Sequence, residues 1–230
     1  MPTKYTYLLV DFFCFIFPFI LSFHPKAKFY RQLKYFALPC LLTVVLFASW
    51  DMLFTHLQVW SFNPNYVLGV YFFNLPIEEL LFFICIPYAC VFTYHLIKLF
   101  LEVSKYNKQA LFLSWVLISF LIVTAALNIH KLYTSVTFIL MAVCLGWLVF
   151  KRATFLANFY LTYIFILVPF FISNGILTGS FINEPVVIYN DVQNLGVRMF
   201  TIPFEDTFYG MLLMLLDVAL LESVAFKKKI

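Results

Sequence analysis

The stretch LPIEELLF at residues 75–82 decides the fold, because it places a proline and two acids directly before a long apolar segment. It recurs as IPFEDTFY at residues 202–209, and equivalent positions lie 127 residues apart without a gap, as Glu205 follows Glu78. The chain is therefore predicted to be a duplication in which one Pro-x-Glu-(Glu/Asp) motif opens a helix in each half. The same offset relates four upstream pairs: Phe62 and Tyr189, Asn63 and Asn190, Leu68 and Leu195, and Gly69 and Gly196.

The composition around these motifs predicts an integral membrane protein. Of the 230 residues, 64% are hydrophobic and 11% are charged, with a mean hydropathy of +0.96. Soluble proteins average roughly 45–50% apolar and about 25% charged residues. A core of this size cannot bury the excess, so lipid is expected to cover much of it.

Seven segments are long and apolar enough to be spanning helices, which need about 20 residues each. The predicted fold class is all-α: a polytopic membrane helix bundle of about seven transmembrane helices in a single domain over residues 1–230. The predicted segments are 5–23, 35–57, 76–98, 111–128, 133–150, 155–177 and 201–224.

The two motifs are expected to lie at the same end of the bundle. One opens the third helix and the other the seventh, and the chain crosses the membrane four times, an even number, between these two helix starts. This predicts two parallel pseudo-repeats of about three helices each, with a pseudo-twofold axis along the membrane normal. The first unit covers about residues 1–105 and the second about 131–230, and a linker helix at about 108–130 joins them.

The basic residues alternate between the loops and predict the orientation. Twelve of the 15 Lys and Arg residues fall on one side of a seven-helix chain, and cytoplasmic loops carry this excess. The N-terminus is therefore predicted outside and the C-terminus in the cytoplasm, which puts the acidic motifs at the outer end. The twelve are Lys26, Lys28, Arg31, Lys34, Lys98, Lys105, Lys108, Lys151, Arg152, Lys227, Lys228 and Lys229.

The acids of the two motifs are the predicted catalytic residues: Glu78, Glu79, Glu205 and Asp206. Carboxyls at membrane depth are costly and usually mark function. Asp51 and Asp11, on neighbouring helices, are candidate supporting acids, for which hydrogen bonding between helices is an equal alternative. A proline and an acid at a helix start also suit simple capping, but the duplication argues against that reading.

The chain lacks the patterns of diphosphate, nucleotide and flavin sites. No Asp-x-x-x-Asp pair is present to hold magnesium diphosphate, and the outer side has few basic residues. No Gly-x-Gly-x-x-Gly or P-loop pattern occurs. We expect no metal, no cofactor and no nucleic-acid partner.

Acid–base chemistry on a neutral hydrocarbon suits these acids better. A carboxyl in apolar surroundings can stay protonated at neutral pH, and aromatic faces stabilise a carbocation. Phe82 and Tyr209 each lie four residues after a motif glutamate, on the same helix face. Trp50, Trp60 and Phe83 are further candidates to stabilise the cation or line the substrate site. Lipid contact is the alternative role for each of these aromatics.

The duplicated motif on a short seven-helix chain resembles the lycopene cyclase domain family. That family includes heterodimeric bacterial cyclases, their fused single-chain forms and the cyclase part of the fungal bifunctional enzyme. The resemblance implies flavin-free, non-redox conversion of the ψ-ends of lycopene to β-ionone rings, giving γ-carotene and β-carotene. It implies a bacterial inner membrane protein that meets lycopene or a related carotenoid among the membrane lipids. Association with other carotenoid enzymes is a further expectation.

The resemblance also implies a mechanism. A carboxylic acid protonates C2 of the terminal double bond, the C5=C6 bond captures the C1 cation, and a carboxylate removes the C6 proton. We assign these two roles to Glu78 and Glu205 in either order, with Glu79 and Asp206 tuning them. The alternatives are a C50 or ε-ring cyclase, a carotenoid end-group hydratase and, further away, a small proton-coupled transporter.

Overall fold

The computed structural model describes residues 3–226, and its seven α-helices confirm the predicted helix bundle. Lys227, Lys228 and Lys229, used above for orientation, lie outside the described residues. Short 3₁₀ helices at Phe29–Gln32 and Ser104–Tyr106 precede α2 and α4. The helices are α1 (Thr6–Leu21), α2 (Leu33–His56), α3 (Ile77–Phe100), α4 (Asn107–Leu127), α5 (Leu132–Phe150), α6 (Leu156–Leu177) and α7 (Phe204–Phe226).

Five of these helices, α2 to α6, are long and apolar enough to cross a membrane. Helix α1 is apolar but has only 16 residues. Helix α7 has 23 residues and carries four acids, which lower its hydropathy. The length and composition of the helices thus show a membrane protein.

Three short strand pairs, which the helical periodicity did not predict, cover the end of the bundle where α3 and α7 begin. They give the backbone groups of the connecting loops hydrogen-bond partners away from water. Strands β2 and β3 pair just before α3, and β5 and β6 pair just before α7. The bounds are β1 (Trp60–Phe62), β2 (Tyr71–Phe72), β3 (Leu75–Pro76), β4 (Val187–Tyr189), β5 (Arg198–Met199) and β6 (Ile202–Pro203).

The pairing of β1 with β4 joins the two halves symmetrically. The strands are antiparallel, and Ser61 lies opposite Ile188, the residue 127 positions later. A strand therefore pairs with its own repeat equivalent, as a twofold axis through the pair requires. The two halves of the fold are thus related as the duplicated motif predicts, while the bounds of the two units stay predictions.

The helices of the two halves interlock. Helix α1 packs against α3, as α5 packs against α7. Helix α2 crosses over to α7, and α6 crosses over to α3. Residues from both halves therefore meet at the start of α3 and α7.

Candidate active site

Three carboxyls from three helices line a cavity of about 80 Å³ where α3 and α7 begin. They are Asp51 of α2, Glu79 of α3 and Asp206 of α7, and all three are buried. None of the described residues that line this cavity is Lys, Arg or His. Its aromatic wall consists of Tyr7, Trp60, Phe62, Phe82, Tyr133, Phe170, Tyr189 and Tyr209.

Asp51 and Glu79 form a carboxyl pair. The two buried carboxyls interact directly, and adjacent buried carboxyls cannot both ionise cheaply, which favours one proton on the pair. The Tyr7 hydroxyl donates to Glu79 Oε2 at 2.6 Å, and the Tyr209 hydroxyl donates to Asp51 Oδ1 at 2.6 Å. Each carboxyl of the pair is therefore held in place beside the cavity by the hydroxyl of a tyrosine.

Asp206 has a different environment, with three hydrogen-bond donors. The Tyr133 hydroxyl donates to Oδ1 at 2.6 Å. Asn174 Nδ2 and the Tyr189 hydroxyl donate to Oδ2 at 2.8 and 2.9 Å. Donors that point at both oxygens favour the ionised form of a carboxyl.

The cavity therefore contains two unlike carboxyl centres, one suited to hold a proton and one suited to ionise. A buried negative charge is costly without partners, and the described lining offers no cation to balance several. One shared proton on the Asp51–Glu79 pair and one hydrogen-bonded carboxylate at Asp206 meet this constraint. Such a site can deliver a proton and remove another without a metal-bound water.

Glu78 and Glu205 are fully buried, but they hold the loops that precede α3 and α7 and do not line the cavity. Glu78 Oε1 accepts from the Leu68 amide at 2.6 Å, and Glu205 Oε1 accepts from the Leu195 amide at 2.7 Å. The Thr134 hydroxyl also donates to Glu205 Oε1, at 2.5 Å. The second oxygen of each glutamate has no hydrogen-bond partner among the described residues.

The geometry of the helix start explains why neighbouring acids face different ways. Pro76 is extended, with φ −63° and ψ 148°, and α3 begins at the next residue. Successive side chains on a helix diverge by about 100°. Glu79 therefore faces the cavity while Glu78 turns back towards the loop that precedes the helix. Asp206 and Glu205 repeat this division on α7.

Asp11 is buried on α1, but it does not line the cavity. Neither of its carboxyl oxygens has a hydrogen-bond partner among the described residues. The structure thus brings Asp51, but not Asp11, together with the cavity-facing acids of the two motifs.

The predicted aromatic residues divide into two groups. Trp60, Phe82 and Tyr209 line the cavity. Trp50 and Phe83 lie behind this wall, where Trp50 packs against Tyr209 with ring centroids 5.1 Å apart and Phe83 packs against Phe82 at 5.8 Å. These two support the wall and do not form its surface.

The four donors Tyr7, Tyr133, Tyr189 and Asn174 were not predicted as site residues. Tyr189 belongs to the repeat, but its repeat partner Phe62 has no hydroxyl. Tyr7 and Tyr133 play equivalent roles in the two halves, yet they lie 126 residues apart, one short of the repeat offset. Only a search that allowed this one-residue shift could have found them.

No group of three or more His, Cys, Asp or Glu side chains within residues 3–226 is arranged to hold a metal ion.

A second, larger cavity of about 690 Å³ joins the acid-lined one. We call it the apolar cleft; its walls come from α1, α3, α6 and α7. The two cavities share five lining residues: Phe82, Ile86, Phe170, Asn174 and Gly210.

A family model described as lycopene cyclase matches residues 4–97 and 130–224. The first matched segment covers α1, α2 and nearly all of α3, the second covers α5, α6 and nearly all of α7, and the whole of α4 lies between them. No curated protein and no solved structure matches the chain.

Proposed function

The chain belongs to the lycopene cyclase family, and from this premise we propose that it is a lycopene β-cyclase acting without metal or cofactor. The observation that supports this proposal is the pair of unlike carboxyl centres in one aromatic cavity. The Asp51–Glu79 pair holds a proton, and Asp206 is prepared to accept one. Closing a β-ring needs one proton donor and one proton acceptor.

The proposed acid is the Asp51–Glu79 pair. Its shared proton adds to C2 of the terminal C1=C2 bond and leaves a cation at C1. The electrons of the C5=C6 bond then form the C1–C6 bond and move the cation to C5. No electron is gained or lost overall, in keeping with the flavin-free chemistry of the family resemblance.

The proposed base is Asp206. It removes the C6 proton, and the C–H electrons form the C5=C6 bond of the β-ring. Return of that proton to the Asp51–Glu79 pair restores the site. This assignment differs from the one expected from the sequence. There, Glu78 and Glu205 were the acid and base, and Glu79 and Asp206 tuned them.

Aromatic faces stabilise the cation between these two proton transfers. Trp60, Phe82 and Tyr209 line the cavity beside the carboxyls. A cation over an aromatic face gains about 2 kcal/mol or more where water is excluded. The apolar wall also keeps water from capturing the cation, which favours ring closure over end-group hydration.

We further propose that the acid-lined end faces the outside of a bacterial cytoplasmic membrane. The basic loops described above support this orientation, since Lys28 and Arg152 lie at the opposite ends of the helices from the acids. Neutral lycopene then reaches the site from the lipid.

The proposed activity is tested in a lycopene-producing bacterial host. Expression of the chain is expected to turn red cells yellow-orange, and chromatography of the extracted pigment should show γ-carotene and β-carotene. A C50 carotenoid product would indicate the same acid–base chemistry on a longer substrate. An ε-ring product would indicate the same chemistry with the final double bond at a different position. Unchanged lycopene with the protein present in the membrane would refute the proposal.

Tyr189→Phe tests the hydrogen bonds that favour ionised Asp206. The variant keeps the ring and removes one of three donors, and a hydrogen bond to a charged group contributes about 1.5–3 kcal/mol. We expect the initial rate of cyclisation in isolated membranes to fall about 10- to 100-fold.

Tyr160→Phe is the matched control. Its hydroxyl is also buried in a hydrogen bond, at 2.6 Å from that of Ser114, but it does not line either cavity. Equal rates for the two variants would show that the Tyr189 hydroxyl does not act on Asp206.

A further inference from the structure

We infer that the apolar cleft holds one half of a linear polyene, that Gly210 keeps it open, and that only one end group reaches the carboxyls at a time. This inference rests on the proposed function. It adds the place of the substrate chain and the order in which its two ends react.

The shape of the cleft suits a long, thin hydrocarbon. It extends along α3 from Phe82 to Thr93, about 17 Å at the helical rise per residue. Its volume of about 690 Å³ is in the range of sites that bury small molecules. Because it meets the acid-lined cavity at Phe82 and Gly210, a chain lying in it places its end beside the carboxyls.

The lining and the rim of the cleft match a neutral ligand from lipid. None of its described lining residues is charged, and most are Phe, Leu, Ile, Val, Pro or Met. Two of its lining residues, Phe13 of α1 and Ile172 of α6, are exposed on the outer surface of the apolar helix bundle. The cleft therefore opens sideways to the bilayer.

The repeat explains why, among the described residues, the position equivalent to the cleft is filled in the other half. The repeat equivalent of Gly210 is Phe83, which is fully buried and packs on Phe47 with ring centroids 6.0 Å apart. Gly210 instead leaves space next to Phe170, whose ring would be 3.7 Å from an added Cβ. Helix α2 accordingly packs along α3, whereas α6 touches α7 over a shorter stretch.

In the other half of the fold, a second contact fills the region equivalent to the deeper part of the apolar cleft. Cys90 lines the cleft, and its repeat equivalent Asp217 is fully buried. The Thr43 hydroxyl donates to Asp217 Oδ1 at 3.1 Å and ties α2 to α7. Within the described residues, the region equivalent to the cleft is thus filled, so a substrate with two reactive ends leaves the cleft and rebinds in reverse for the second ring.

The binding part is tested in a Glu79→Gln background, in which retained carotenoid does not depend on turnover. Gly210→Leu and Cys14→Phe add bulk from opposite walls of the cleft. We expect each to lower the lycopene that co-purifies per mole of protein at least tenfold. The matched controls Gly146→Leu and Cys85→Phe make the same changes on α5 and α3 away from the cleft, and they should retain lycopene as the parent does.

The outcomes separate this inference from the proposed function. Full retention of lycopene by either blocking variant overturns the cleft, even if the wild-type chain forms β-carotene. Loss in both blocking variants and retention in both controls supports the cleft, even if the wild-type chain forms no ring. Adding Phe170→Ala to Gly210→Leu should restore part of the binding, because the smaller side chain makes room for leucine.

The order of ring closure is tested in a time course with wild-type membranes and lycopene in large excess over the protein. The monocyclic product must then compete with lycopene for the cleft, so it should accumulate before the bicyclic product forms. Formation of the bicyclic product from the start, with no monocyclic product ahead of it, would overturn the single cleft.

Discussion

Glu79→Gln and Asp206→Asn are each expected to lower the rate of lycopene cyclisation by about 10²–10⁴-fold, the usual contribution of a positioned acid or base. Glutamine at position 79 can still accept from Tyr7, but its amide has no acidic proton to donate to the substrate. Asparagine at position 206 keeps the shape of aspartate but cannot take the C6 proton. The rate is measured as initial product formation in membranes that contain equal amounts of each variant.

Glu78→Gln and Glu205→Gln are the matched controls for this experiment. Each substitution is made on the residue just before the proposed acid or base. The glutamine oxygen can still accept the Leu68 or Leu195 amide, so we expect activity within about tenfold of wild type.

The opposite pattern would contradict the proposed roles. If the Glu78→Gln and Glu205→Gln variants lost activity and the Glu79→Gln and Asp206→Asn variants kept it, the assignment expected from the sequence would be correct. If the Glu78→Gln and Glu205→Gln variants lost activity but unfolded at the same midpoint as wild type, Glu78 and Glu205 would do more than hold the loops in place.

Glu205→Ala is expected to destabilise the protein by about 2–6 kcal/mol. It leaves the Leu195 amide and the Thr134 hydroxyl without their acceptor, and an unsatisfied buried donor costs about 1–3 kcal/mol. Glu78→Ala removes the acceptor of the Leu68 amide only, so it should destabilise the protein less than Glu205→Ala does. The measurement is the midpoint of unfolding of the detergent-solubilised protein, in heat or in increasing denaturing detergent.

Glu102→Ala is the control for stability, because Glu102 is exposed beyond the end of α3. This substitution should change the free energy of unfolding by at most about 0.5 kcal/mol. Glu205→Gln should fall between Glu205→Ala and wild type. A Glu205→Ala variant as stable as wild type would show that this carboxyl does not hold the loop before α7.

The sequence by itself determined the architecture that brings the two halves together. Seven apolar segments set the number of helices, because a chain in lipid must pair its backbone groups within helices. The constant offset between residues 75–82 and 202–209 showed the duplication. The four membrane crossings between the start of the third helix and the start of the seventh then placed both acidic motifs at one end, before any contact was known.

Only the tertiary structure decided which acid of each motif faces the cavity. Neighbouring residues on a helix point about 100° apart, so the rotation of α3 and α7 about their axes makes the choice between them. That rotation follows from packing against α1 and α5 and from the strand pairs that hold the loops. The tyrosine donors and the space beside Gly210 depend on contacts between distant segments, which no local pattern encodes.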